Sequence, residues 1–162
     1  MHSSKDQVQS KSKVIFLDID GVLNSQVSCF NDDLAVRTKL GYIGTKELNR
    51  FKDLLSSTDA KVVLISSWAK SSKHDDYKDR EKEISEALGV DIHDTIDFTG
   101  GGRSRGESIV RYVLDHEVEK YVVLDDSIQH YVYALEGNFI QVNGLIGLSF
   151  YDVQLALRIL GD

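Results

Sequence analysis

Three short apolar runs, each followed at once by acidic or hydroxyl residues, constrain the fold of this chain more than any other feature. The runs and the polar residues after them are Val14–Leu17 with Asp18 and Asp20, Val62–Ile65 with Ser66 and Ser67, and Tyr121–Leu124 with Asp125 and Asp126. Continuously apolar runs of this length are typical of central parallel strands that helices cover on both faces. Because the carboxyl ends of parallel strands meet at one edge of a sheet, we expect these polar side chains to converge there.

The segments between the runs carry helical patterns, which makes the chain an alternation of strands and helices. Helices are predicted from Thr45 to Leu55, from Tyr77 to Leu88, from Ser108 to His116 and from Tyr151 to Leu160, with weaker strands within Ile92–Phe98 and Phe139–Val142. Such alternation predicts right-handed βαβ units and a mostly parallel sheet. The fold class is therefore α/β: a single doubly wound domain over residues 13–162, after a polar, disordered tail of residues 1–12.

Charge and composition limit the partners of the chain. The formal net charge of -7, from 19 basic and 26 acidic residues, argues against extended nucleic-acid binding, although a local basic patch is compatible with one phosphate. No apolar run approaches the length of a membrane-spanning helix, so no membrane partner is expected. The single cysteine, Cys29, excludes an internal disulfide and suits a cytoplasmic location.

The acidic residues at the strand ends predict a metal site. Asp18, Asp20, Asp125 and Asp126 would repel one another in a partly buried pocket unless a cation lay among them. Ligands that are all oxygen atoms, without a histidine or cysteine cluster, favour Mg²⁺ over zinc.

These residues also carry a resemblance to a known family. The segment Val14–Leu23 resembles the first signature of the haloacid dehalogenase-like (HAD) superfamily, in which Asp-x-Asp-Gly follows the first strand. Val63–Trp68 is similar to the second signature and Val122–Ser127 to the fourth. The third signature, a lone basic residue before a helix, is matched best by Arg105, with Arg103 as the alternative. The Ser-Ser-Trp, Arg-x-x-Ser-Ile and Asp-Asp-Ser pieces also resemble the small HAD domains found in some RNA-repair proteins.

The resemblance implies a role for each acidic residue. Asp18 would be the nucleophile that forms an aspartyl-phosphate, and Asp20 would protonate the leaving oxygen and then activate water. Mg²⁺ would be held by Asp18, by the backbone carbonyl of Asp20 and by a carboxylate of Asp125 or Asp126. We favour Asp126, although the sequence does not separate the two.

The resemblance assigns the phosphate-binding residues as well. Ser66 would hydrogen-bond the transferring phosphoryl group with help from the Ser67 amide, and Arg105 would offset the negative charge that one divalent cation leaves. Trp68 follows Ser67 directly, so it is expected either to stack on the substrate or to pack in the core. Arg103 is the second candidate for a substrate contact.

Chain length then limits the substrate. The residues between Gly21 and the first helix are too few for a large cap domain, and Cys29–Asp33 is expected to form a small flap over Asp18. With this minimal cap, the predicted function is a Mg²⁺-dependent phosphomonoesterase that acts on a nucleotide or a nucleic-acid terminal phosphate. Its phosphate contacts are expected from Arg103, Arg105, Lys70 and Lys73.

Three alternatives stay open. A small-metabolite HAD phosphatase fits the same signatures. A receiver-like signalling domain also gathers carboxylates at strand ends, but the chain has no Lys within Phe139–Leu145, where one would be needed. A catalytically silent phosphate-binding module is disfavoured because both Asp18 and Asp20 are present. Gly100–Gly102 is interpreted as a turn, and His74, His93, His116 and His130 as surface residues.

Overall fold

A computed structural model describes residues 12–69, 77–98 and 102–161 of the chain. The strands are β1 (Lys13–Leu17), β2 (Ala35–Arg37), β3 (Tyr42–Gly44), β4 (Lys61–Leu64), β5 (Asp94–Thr95), β6 (Lys120–Asp125) and β7 (Phe139–Gln141). The helices are α1 (Gln26–Phe30), α2 (Thr45–Ser56), α3 (Tyr77–Leu88), α4 (Arg105–Asp115) and α5 (Phe150–Leu160). Five of the strands form one sheet in the order β5-β4-β1-β6-β7, and every pairing in it is parallel.

Strand β1 lies at the centre of this sheet, and its side chains alternate between two cores. Ile15 and Leu17 are fully buried in one hydrophobic cluster, while Val14 and Phe16 belong to a second cluster on the opposite face. A strand that is covered on both faces reads as a continuous apolar run, which is what the sequence shows.

Helices cover both faces. The larger cluster contains buried residues of α2, α3 and α5, and the smaller one contains Ile109 of α4. The predicted doubly wound α/β fold is therefore confirmed. The short strand expected within Ile92–Phe98 is present at Asp94–Thr95, and α4 begins at Arg105 rather than at Ser108. The earlier start of α4 follows from Ser104, whose side chain accepts a hydrogen bond from the Glu107 amide in a capping box.

The segment between β1 and α2 holds structure that the sequence did not predict. After α1 and a short 3-10 helix at Asp32–Leu34, strands β2 and β3 pair in an antiparallel hairpin. The predicted flap at Cys29–Asp33 is not a separate loop, because its first residues end α1 and its last residues lie in the 3-10 helix.

Two further predictions concern the N-terminal tail and the membrane. Of the predicted tail, only Ser12 is described, and its carbonyl oxygen accepts hydrogen bonds from the Glu119 and Lys120 amides. None of the described helices combines the length and the hydrophobicity that a membrane span requires.

Candidate active site

The carboxyl ends of β1, β4 and β6 lie side by side and bring the predicted polar residues to one edge of the sheet. Leu17 pairs with Leu64 on one side and with Leu124 on the other. The pairing continues one residue further, because the Asp18 amide donates to the Leu124 carbonyl and the Ile65 amide to that of Leu17, both at 2.9 Å. The strand order also changes direction at β1, where ligands bind in open α/β sheets.

Asp18 is a buried carboxylate with a hydrogen bond on each oxygen. Only 6% of the residue is exposed. Its Oδ1 accepts from the Ile19 amide at 2.8 Å, and its Oδ2 accepts from Arg105 Nη1 at 3.0 Å. Burial raises the pKa of Asp18 from 3.8 to about 6; Arg105 opposes this rise, and the neighbouring charge of Asp125 adds to it. A carboxylate in this setting is poorly hydrated and lies next to a fixed cation.

Asp125 is completely buried and accepts three hydrogen bonds. Its Oδ2 accepts from Arg105 Nη1 at 2.8 Å and from His130 Nδ1 at 2.9 Å, and its Oδ1 accepts from the Ser127 amide at 2.8 Å. Arg105 therefore bridges the inner carboxylates of β1 and β6 from the first residue of α4. Asp125 is the acceptor that holds this bridge in place.

Asp126 differs from Asp125 because, within the described residues, its carboxylate accepts a hydrogen bond from its own backbone amide and from no other residue. It lies against two glycines: a Cβ on Gly21 would lie 2.2 Å from Asp126 Oδ2, and one on Gly144 would lie 2.8 Å from it. Gly21 also has a positive φ of +76°, which favours glycine on a second ground. Burial, and then the charge of Asp125, raise the pKa of Asp126.

One oxygen from each of Asp18, Asp125 and Asp126 lies within 4.8 Å of the others. Carboxylate oxygens are hard ligands of the kind that Mg²⁺ prefers, so the chemistry of this set fits the predicted cation. The predicted fourth contributor, Asp20, was expected to use its backbone carbonyl and does not belong to this carboxylate group.

Asp20 is exposed, and two N–H donors hold one of its oxygens. Asp20 Oδ1 accepts from Trp68 Nε1 and from Asn24 Nδ2, both at 2.9 Å. The Asn24 side chain is fixed in turn, because its Oδ1 accepts from the Gly21 amide at 3.0 Å. Within the described residues, Asp20 Oδ2 has no hydrogen-bond partner.

Trp68 is placed by the β2–β3 hairpin as well as by Asp20. A Cβ on Gly41 would lie 2.8 Å from Trp68 Cζ2, so the hairpin turn lies directly against the indole ring. The partly buried ring also packs against the larger hydrophobic cluster, together with Leu40. Of the two expectations for Trp68, core packing thus has structural support.

Only some of the remaining predicted residues lie at the site. Ser66 is buried at the end of β4, and its Oγ accepts from the Trp68 amide at 3.2 Å, while Ser67 is exposed. Arg105 contacts both inner carboxylates, whereas Arg103 is exposed and its charge acts on Glu107. Lys70, Lys73, His74 and most of the Gly100–Gly102 turn lie outside the described residues.

Two residues of the site were not predicted from the sequence. The prediction that His130 is a surface residue is wrong, because its ring contacts Asp125 and is only partly exposed. The prediction failed because the 3-10 helix at Ile128–His130 turns the chain back towards β6. Asn24 was not singled out either, although its position four residues after Asp20 in a glycine-containing turn was a local signal.

The chain matches a known family and resembles solved structures. A family model described as "HAD domain in Swiss Army Knife RNA repair proteins" matches residues 14–153. Two structures of the Pnkp1/Rnl/Hen1 RNA repair complex contain a similar chain. One has a TM-score of 0.53 and 20% identity over 93% of this chain and 48% of that chain. The other has a TM-score of 0.52 and 19% identity, over 93% of this chain and 51% of that chain.

This chain thus spans about half the length of those solved chains, and at such identity the likeness shows the fold alone. No curated protein sequence matches it.

Proposed function

Because the chain belongs to the family of HAD domains in Swiss Army Knife RNA repair proteins, we propose that it is a Mg²⁺-dependent phosphomonoesterase that acts through an aspartyl-phosphate. The family supports a phosphatase-type function. The observation that carries the finer proposal is the cluster at the ends of β1 and β6, where oxygens of Asp18, Asp125 and Asp126 lie within 4.8 Å of one another beside Arg105.

The hydrogen bonds of the cluster support Asp126 rather than Asp125 as the direct metal ligand. Both oxygens of Asp125 already accept N–H donors from other residues, three in all, whereas within the described residues the Asp126 carboxylate accepts from its own backbone amide alone. Asp18, Asp126 and the backbone carbonyl of Asp20 would hold Mg²⁺. When bound, the cation would neutralise charge on the phosphoryl oxygens and orient the phosphate.

Asp18 would be the nucleophile. One of its carboxylate oxygens would form a bond to phosphorus while the bond from phosphorus to the ester oxygen breaks. Arg105 would counter the charge of the phosphoryl group from its position between Asp18 and Asp125. The Ser66 hydroxyl, which accepts from the Trp68 amide, keeps its own proton to donate to a phosphoryl oxygen, and the Ser67 amide would assist it.

Asp20 would move the proton. In the first step it would protonate the departing ester oxygen, and in the second it would accept a proton from the water that attacks the aspartyl-phosphate. Trp68 and Asn24 both donate to Asp20 Oδ1 and thereby keep that oxygen an acceptor. The proton would therefore be carried on Oδ2.

For the substrate, we propose a nucleotide or the terminal phosphate of a nucleic acid. The two similar solved structures described above are RNA repair complexes, which favours a phosphorylated polynucleotide end and a place among protein partners in repair. The net charge of -7 favours contact with the terminus alone. A small-metabolite phosphatase is the alternative, since the catalytic residues would be the same.

The test is a panel of phosphomonoesters assayed with Mg²⁺ and with excess chelator. It includes nucleoside monophosphates, sugar phosphates and oligonucleotides phosphorylated at either end. We expect turnover that requires Mg²⁺ and that disappears in Asp18→Asn, because an amide is a poor nucleophile. Intact-protein mass spectrometry should detect a phosphoryl adduct in the wild type and none in this variant. Activity in chelator, or full activity of folded Asp18→Asn, would overturn the proposal.

A further inference from the structure

A groove of about 610 Å³ opens beside the candidate active site, and Trp68 is not among the residues that line it. Gly21 and Asp126 line it, so it is continuous with the carboxylate cluster. One wall is α1, with Gln26 and Phe30, and the other is the loop after β7, with Leu145.

Backbone hydrogen bonds join the two walls. The Gln26 amide donates to the Gly144 carbonyl at 3.2 Å, and the Val27 amide donates to the Leu145 carbonyl at 3.1 Å. The first turn of α1 is thereby held to the loop by the backbone itself. Its volume lies within the range of about 300–1,000 Å³ that small-molecule sites occupy.

The walls combine apolar surface with neutral polar groups. Phe30 is 89% exposed and Leu145 is 55% exposed, so both offer apolar surface to an occupant. Gln26 is exposed, and its side-chain amide has no hydrogen-bond partner within the described residues. Asn143 adds a second amide to the lining. An aromatic face with amide donors and acceptors beside it suits a planar, hydrogen-bonding heterocycle.

The charge of the groove narrows the occupant further. Among the described residues that line it, Asp126 is the only charged one, and none is Lys or Arg. Partial burial, with the charges of Asp20 and Glu47, raises the pKa of the Cys29 thiol, so this lining residue is neutral as well. A lining without cations disfavours further phosphates beside the one that reacts.

We propose that this groove binds the nucleoside of the phosphomonoester, with the base against the ring of Phe30 and its edge towards the amides of Gln26 and Asn143. The proposal rests on the proposed phosphatase function and names the part of the substrate that its site recognises. It also assigns base stacking to Phe30 and not to Trp68, because the Trp68 indole N–H donates to Asp20 and its ring lies against Gly41.

The test compares two substrates that share a phosphate on a ribose: adenosine 5′-monophosphate, which carries a base, and ribose 5-phosphate, which does not. Phe30→Ala should lower kcat/KM for the nucleotide by about 5- to 30-fold, since stacking of one base on an aromatic side chain is worth that order of effect. It should change ribose 5-phosphate turnover by less than about twofold. Phe150→Ala is the matched control, because Phe150 is also exposed and lies outside the groove lining.

A second measurement tests nucleoside binding in the groove independently of phosphate hydrolysis. Adenosine, which has no phosphate, is titrated into each protein and followed by NMR at the amides of Gly144 and Leu145. We expect saturable shifts in the wild type and in Phe150→Ala, and their loss in Phe30→Ala. Absence of shifts in the wild type, or equal losses on both substrates in Phe30→Ala, would overturn the groove assignment. Adenosine binding without turnover of either phosphate ester would instead refute the phosphatase function and keep the groove.

Discussion

The ends of β1 and β6 each carry two carboxylates, and the inner and outer members of these pairs are held differently. The inner ones, Asp18 and Asp125, are buried and share the guanidinium of Arg105. The outer ones are less buried: Asp20 is held on one oxygen, and within the described residues the Asp126 carboxylate accepts no hydrogen bond from another residue. Strand packing fixes the inner pair, whereas loops and glycines set the outer pair.

Because of this difference, the inner and outer carboxylates suit different chemical roles. An inner carboxylate that is buried and paired keeps its position without help from solvent, which suits a nucleophile and an anchor for Arg105. An outer carboxylate with an unoccupied oxygen can bind a cation or carry a proton. The experiments below test whether the inner and outer carboxylates can be separated in this way.

After loss of the nucleophile itself, the largest effect on turnover is expected from the outer member of the β1 pair. Asp20→Asn should slow turnover of a nucleoside monophosphate by about 10²–10⁴-fold, because an amide supplies neither general acid nor general base catalysis. With 4-nitrophenyl phosphate, whose leaving group needs little protonation, the phosphoenzyme should accumulate and be visible by intact-protein mass spectrometry.

Asp53→Asn makes the same change of charge on the exposed surface of α2 and serves as the control. A loss below about tenfold in Asp20→Asn would assign the proton transfer to another group.

The two carboxylates of β6 are expected to differ in role, because one stabilises the fold and the other binds the metal. Asp125→Ala should lower the free energy of unfolding by about 3–5 kcal/mol, because it removes a buried partner of Arg105 and the acceptor for Ser127 and His130. Asp126→Ala should leave the fold intact and weaken Mg²⁺ binding by about tenfold or more, since even residues behind metal ligands cost that much when they are replaced.

Denaturant unfolding and calorimetric Mg²⁺ titration of the two variants measure both effects. If Asp125→Ala folds normally and alone loses Mg²⁺, the assignment of the ligand is reversed.

The pH dependence of stability tests the burial of the inner nucleophile. The Asp18 pKa is about 6 in the folded protein and near 3.8 when unfolded, so the folded state binds more protons between these values. The free energy of unfolding should therefore fall as pH rises from about 4 to about 6, by at most about 3 kcal/mol. Asp18→Asn lacks this carboxyl, so its stability relative to the wild type should rise over the same interval.

Both proteins are measured in chelator. The difference between their free energies of unfolding removes the contribution of the titratable groups that they share. Mg²⁺ added above pH 6 should restore part of the stability of the wild type, because a ligand of the folded state stabilises it by mass action. A difference that does not change with pH would mean that Asp18 is well solvated.

The inner and outer residues also differ in how far the sequence predicts them. Three apolar runs ending in polar residues were sufficient for the sheet and for the convergence of Asp18 and Asp125, because strand burial and strand-end chemistry both leave local patterns. Helix α1 and the hairpin were missed, since elements of three to five residues carry too little periodicity. His130 and Trp68 each lie within a short 3-10 helix, at Ile128–His130 and Ser67–Ala69. Their contacts with Asp125 and Asp20 depend on side-chain direction there, which no spacing records.

The smallest effect is expected at the donor that holds Asp20. Trp68→Phe keeps an aromatic ring against Gly41 and removes only the N–H that donates to Asp20 Oδ1. Loss of one such hydrogen bond should slow hydrolysis of a nucleoside monophosphate by about three- to tenfold. The pre-steady-state release of 4-nitrophenol from 4-nitrophenyl phosphate should change by less than about twofold, since departure of this leaving group depends little on a correctly oriented acid. Asn24 is the poorer choice for this test because its side chain also accepts from the Gly21 amide. Equal slowing of both substrates would show that Trp68 acts by packing or by substrate contact, and that the outer carboxylate of β1 needs no donor to orient it.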